Sequence, residues 1–191
     1  QTCALPICPV TVRPGLVWPT LTRYGSTWDP DVLMTAYRRG LFPMPQEIDG
    51  ESAIGWWSPA MRAVFRLDEV RVPASLRASM RRFEFTADAA FRDVVVGCAD
   101  PGRAHGWIDG DVTAAYCRLH DLGHAHSVEV WRDGELVGGL YGVAVGGVFA
   151  GESMFHRVTD ASKAALVVLR DLLADGVPRV IDAQWMTAHL A

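Results

Sequence analysis

Near the end of the chain, three polar side chains stand where chemistry could happen: Glu152 in the run FAGESMF, and Asp182 with Gln184 in the run VIDAQ. Asp182 and Gln184 are two apart on a predicted strand, so both point to one side of a sheet. Polar residues at a strand edge ordinarily just face water. Here, however, the strand follows an apolar helix, and an acid and an amide buried in that setting need partners. Such groups suit positioning and proton handling better than covalent attack, because an amide is a poor base.

Other reactive types are less promising. His120, His124 and His126 have spacings that could hold a metal, but one ends a predicted helix, the next lies past its glycine stop and the third starts a strand, so no metal site is expected. Cys98 and Cys117 lack a neighbouring base to activate them and are expected as small apolar residues. The triplet Gly151-Glu152-Ser153 lacks the second glycine of a nucleophile elbow. The turn HRVTDAS contains no glycine to cradle a pyrophosphate, so no coenzyme A site is visible. Arg62, Arg66, Arg71, Arg77, Arg81 and Arg82 face only Asp68 and Glu69 within their interval, which reads as a solvated charged face or as a phosphate-binding strip.

The elements that must position these groups are clearest after residue 108. Val112, Ala115, Tyr116, Leu119 and Leu122 recur at helical spacing up to Gly123. Three β-runs follow, joined at Asp133-Gly134 and Gly146-Gly147, and they predict an antiparallel meander. A helix over Ser162–Ala174 then leads into VIDAQ. Helix, meander, helix, strand is the order of an acetyltransferase-like (GNAT-like) mixed sheet flanked by helices, an α+β fold. Nearer the start, Asp29-Pro30 opens a helix that Gly40 and Pro43 stop, and a Trp- and Pro-rich connection follows. The expected organisation is a small N-terminal domain over 8–60 and a catalytic domain over 61–191.

At 191 residues and 50% hydrophobic the chain can bury a sizeable core, and no apolar run reaches the ~20 residues of a membrane helix. A net charge of −4 argues against an overall basic nucleic-acid binder but allows a local patch. Four scattered cysteines suggest a reducing, cytoplasmic setting. Residues 1–7, QTCALPI, read as a cloning or assembly scar, and a gene fragment cut at both ends is expected.

The segments AYRRGLFPMP, WWSPAMRAVF, GWI, LHDLGHAHSVEVW, LVGGLYGVAVGGVFAGESMF, ASKAAL and IDAQ, taken in order from about Asp31 onward, resemble the leucyl/phenylalanyl-tRNA protein transferase family. The resemblance implies transfer of Leu, Phe or less readily Met from the 3′ end of aminoacyl-tRNA to proteins with N-terminal Arg or Lys, marking them for degradation. It implies no cofactor and no metal, and a monomer is expected. Asp182 would orient Gln184 and attract the cationic acceptor, Gln184 would hydrogen-bond the attacking amine, and Glu152 would hold the substrate end. Trp107, Leu140, Phe149, Met44 and Ser153 fall at aminoacyl and adenosine positions, and Tyr37, Arg62, Arg77, Arg81 and Arg82 at tRNA-binding ones. Met44 stands where the family usually has tryptophan, which weakens stacking there. The segment RYGSTWDPDVL replaces an expected glycine-rich stretch, and the arginine-rich region after Met80 is shorter than usual. The alternatives are a coenzyme A-dependent N-acyltransferase and a catalytically silent aminoacyl-tRNA-binding module.

Overall fold

Asp29 starts the first helix, as its place before Pro30 predicts. In the computed structural model, which describes residues 20–99 and 107–184 (for 20–24 the backbone only), Asp29 Oδ1 accepts from the backbone N–H groups of Asp31 and Val32 at 2.9 and 3.4 Å. Helix α1 (Pro30–Arg38) ends where Gly40, at φ +71°, lets its own N–H reach Tyr37 O and the N–H of Leu41 reach Ala36 O, both at 2.9 Å. Gly123, at φ +75°, closes α4 (Gly110–Asp121) with the same paired bonds, Gly123 to His120 and His124 to Leu119, each 2.8 Å. Both stops use the left-handed freedom of glycine to satisfy the helix's last carbonyls.

Two sheets organise the chain. The smaller is antiparallel, in the order β1 (Thr20–Gly25), β3 (Glu51–Ser58), β2 (Phe42–Ile48). Strands β2 and β3 form a hairpin turned at Asp49-Gly50 with φ +54° and +81°, so the Trp- and Pro-rich connection, residues 55–65, begins within β3. Pro43 and Pro45 are tolerated because β2 is an edge strand. The larger sheet has six strands ordered β4 (Val64–Arg66), β9 (Val180–Asp182), β8 (Val148–His156), β7 (Glu135–Val145), β6 (Ala125–Arg132), β5 (Glu84–Ala87). The meander β6-β7-β8 matches its sequence pattern, and β8 runs parallel to β9. A parallel pair needs a crossover, which α5 (Ala161–Leu173) supplies.

Helices cover both faces of this sheet. On one side α3 (Phe91–Cys98), α4 and α1 enclose a core of Leu33, Tyr37, Trp56, Val94, Tyr116, Tyr141 and Val143. On the other, α5 and α2 (Ala74–Met80) enclose Leu140, Phe149, Leu166, Leu169 and Ile181. The chain passes from the small sheet to the large one between Ser58 and Val64, yet the first core runs without a break from one sheet to the other. Among the described residues no helix is long and apolar enough to cross a membrane.

Candidate active site

Glu152 owes its position to an irregularity in β8. Tyr141 of β7 faces Ser153, and the next residue, Gly142, faces Gly151, so Glu152 is the unpaired residue of a β-bulge. Bulges re-aim side chains and recur beside active sites. Asp182 and Gln184 do not share a strand face as their spacing predicted: β9 ends at Asp182, and Gln184 lies beyond it with φ +65°. A local turn brings them together instead, since the Gln184 backbone N–H donates to Asp182 Oδ1 at 2.8 Å. Ala63 pins this turn by accepting from Ala183 N–H at 2.8 Å and donating to Gln184 O at 3.3 Å. Gln184 Nε2 then donates across to Glu152 Oε1 at 3.0 Å, so all three candidates form one chain.

Two tyrosines that bear on this chain come from the other core. Tyr116 of α4 donates to Glu152 Oε2 at 3.0 Å, and its hydroxyl also meets that of Tyr37 of α1 at 2.6 Å. Burial, and next the charge of Glu152, hold both phenols well above their ordinary pKa, so both remain protonated donors. Burial also lifts the Glu152 carboxyl to about 7, with the charge of Asp182 adding to the rise; hydrogen bonds from Tyr37, Tyr116 and Gln184 oppose it. Asp182 is 5% exposed, and its Oδ2 accepts from Arg62 Nη1. Arg62 donates through Nη2 to Gly40 O as well. Its side chain therefore faces inward, away from the arginine strip in which sequence spacing grouped it.

Where β8 and β9 part, a cavity opens. The two strands pair only through Val148–Ala150 and Val180–Asp182, while β8 continues to His156. The cavity, about 360 Å³, is lined by Leu140, Phe149, Glu152 and Ser153, as well as by Tyr141, Met154, Leu166, Leu169 and Ile181. Leu166 and Leu169 are one helical turn apart on α5, a periodicity that was readable in the sequence. The Tyr141 hydroxyl is buried with no hydrogen-bond partner among the described residues. A second cavity of about 330 Å³ lies toward α1, lined by Tyr37, Arg38, Arg62, Val148, Asp182 and Gln184. The chain Glu152–Gln184–Asp182 thus borders both. A larger cleft of about 620 Å³ between α1 and Trp56 is lined by none of the candidate residues.

The remaining candidates lie at varying distances from this centre. The Trp107 ring packs edge-on against Tyr116, 6.5 Å between centroids. Met44, opposite Gly55 in the small sheet, packs on the same core. Arg77 on α2, with Arg81 and Arg82 just after it, is exposed on the side of α5. His120 stacks on Phe91 at 4.3 Å and its Nδ1 lies 2.9 Å from Ala125 O, whereas His126 Nδ1 is 2.8 Å from Asp88 Oδ2. Cys98 is buried, and desolvation pushes the Cys117 thiol up, away from nucleophilic use.

Comparison with known proteins gives a consistent result. Residues 64–191 match the family model described as leucyl/phenylalanyl-tRNA protein transferase, and residues 28–60 match the model of that family's N-terminal domain. The leucyl/phenylalanyl-tRNA--protein transferase of Shewanella oneidensis is 48% identical over 174 residues, covering 89% of this chain and 72% of that protein. Its counterpart in Syntrophobacter fumaroxidans is 50% identical over 175 residues, covering 89% and 74%. Among solved structures, L-PGS from Bacillus licheniformis shares 16% identity at a TM-score of 0.43, over 68% of this chain and 48% of that one.

Proposed function

Since the chain belongs to the leucyl/phenylalanyl-tRNA protein transferase family, we propose that it moves leucine or phenylalanine from tRNA to the N-terminal Arg or Lys of an acceptor protein, at the Glu152–Gln184–Asp182 chain. Aminoacyl transfer from tRNA to protein is the reaction named by the family. The observation that carries the assignment of the site is the position of this chain on the border of two cavities, as a reaction of two substrates requires. The cavity of Leu140, Phe149, Met154, Leu166 and Ile181 suits an unbranched or aromatic apolar side chain. The large sheet, with a parallel strand pair that separates beside the site, is read as acetyltransferase-like. The protein acts as a monomer in the cytoplasm, with Trp107 and Met44 toward the terminal adenosine.

The acceptor's α-amine attacks the ester carbonyl, the C–N bond forms, the C–O bond to the ribose breaks, and the amine's proton ends on the departing ribose hydroxyl. The ester supplies the driving force, so the site mainly has to align two reactants. Gln184 turns its Nε2 to Glu152, which leaves its carbonyl oxygen to accept an N–H of the amine. Glu152, at about 7, is close to the ~7.7–8.0 of an N-terminal amine, so a proton passes between them at little cost. Because Arg62 pairs with Asp182, attraction of the cationic acceptor falls to Glu152 rather than Asp182.

Mass spectrometry of an Arg-starting peptide incubated with leucyl-tRNA and the protein tests this. One added leucine, lost in Asp182→Asn, is the expected result. Acetylation from acetyl-coenzyme A instead, or tRNA binding with an unchanged peptide, would overturn it in favour of an N-acyltransferase or a silent binding module.

A further inference from the structure

Arg62 joins three separate parts of the molecule. It lies in the passage between the two sheets, just before β4, and its side chain is 27% exposed. One guanidinium nitrogen donates to Asp182 Oδ2 and the other to Gly40 O, the carbonyl just past the end of α1. The other oxygen of Asp182 holds the Gln184 backbone in its left-handed conformation, and the Gln184 side chain reaches Glu152. A non-glycine residue at φ +65° needs such support, since few side chains occupy that region unaided. The neighbouring Ala63 binds the same turn through its backbone at both Ala183 and Gln184. A planar fork holds its donors in fixed directions and so serves a carboxylate and a carbonyl with less loss of freedom than the three rotatable donors of an ammonium.

From this geometry we infer that Arg62 is a positioning residue: it fixes Asp182 against the end of α1 and so presents the Gln184 amide to the reacting amine. The alternative, a phosphate contact to tRNA, would require the guanidinium to leave two protein acceptors. The inference rests on the transfer reading above for its kinetic test, but its structural test does not. The chain has three side-chain amides, Gln1, Gln46 and Gln184, and no asparagine, so the Gln184 amide resonance is assignable by its loss in Gln184→Glu. In Arg62→Met that resonance moves or broadens, and in Arg62→Lys, which retains the charge and guards against a folding failure of the first variant, it moves less. With saturating leucyl-tRNA, single-turnover transfer falls ~100-fold in Arg62→Met, the scale of a reacting group misplaced by ~1 Å, and Arg62→Lys recovers part of the loss. The dependence of tRNA binding on salt stays unchanged. A Gln184 resonance unmoved in both variants overturns the inference, whether or not the wild type transfers leucine. So does a salt slope reduced by ~0.7–0.9 with an undiminished saturated rate, the signature of a lost phosphate contact. Absence of transfer by the wild type sinks the functional reading alone, and the Gln184 resonance still decides the role of Arg62.

Discussion

Glu152 titrates near neutrality because burial disfavours its charge while Tyr116, Tyr37 and Gln184 favour it, so each neighbour has a calculable direction of effect. Tyr116→Phe deletes a donor to the carboxylate, which destabilises the charged form and raises the pKa above about 7. The acidic limb of kcat/KM against pH should move upward in that variant and vanish in Glu152→Gln; an unshifted limb in both would remove Glu152 from proton transfer. The same carboxyl affects stability. Its pKa is raised from 4.5 in the unfolded chain to about 7, so between those values the folded state holds a proton that the unfolded state has released. Stability is therefore lost as pH rises through this window and does not fall further above it, a difference of at most about 3 kcal/mol. Thermal melts from pH 4 to 8 should show wild type losing stability relative to Glu152→Gln over that range, and parallel curves would contradict it. The sequence singles out Glu152, Asp182 and Gln184, which hydrogen bonds join into one chain, but residue types do not show how they meet. The strand alternation that seemed to align Asp182 with Gln184 stops at Asp182, and the bulge that frees Glu152 depends on pairing with a distant strand.

At the level of elements, the parts written in local chemistry were the legible ones. Caps at Asp29, glycine stops at Gly40 and Gly123, and the Asp133-Gly134 turn all act within a few residues. The β2–β3 hairpin was missed although Asp49-Gly50 carries the same turn signal, because prolines in β2 mask a strand whose edge position sequence does not reveal. Helices α2 and α3 are short and lack side-chain caps. Helix α5 was predicted within one residue at each end, and its inward face defines the apolar cavity against β8 and β9. Enlarging that face should therefore act on donor size. Leu166→Phe narrows the cavity, and transfer of phenylalanine should suffer more than transfer of leucine, by roughly 1–3 kcal/mol in relative kcat/KM. Competition between the two charged tRNAs for one peptide measures this directly. Equal loss for both donors would place the aminoacyl side chain elsewhere.

Across the whole molecule, a chain of net charge −4 must bind a polyanion, and only local clustering can reconcile the two. Five of the six arginines grouped by sequence separate in the structure according to their partners. Arg62 turns inward to Asp182, and Arg66 lies 3.3 Å from Asp68 and 3.2 Å from Glu69. Arg77, Arg81 and Arg82 remain exposed on α2 and just beyond it, beside the helix that walls the apolar cavity. Phosphates meeting these three would release counterions in proportion to the charges neutralised, at ~0.7 in log–log slope per contact on single-stranded ends. Replacing all three by Met should flatten the salt dependence of tRNA binding by ~2 and weaken binding most at low salt. The saturated single-turnover rate should stay within about twofold of wild type, since positioning at the reacting centre is untouched. Filter binding across 50–300 mM salt, paired with rapid-quench transfer, separates the two quantities. If the rate falls while the slope holds, these arginines shape the reaction site and the tRNA backbone is held elsewhere.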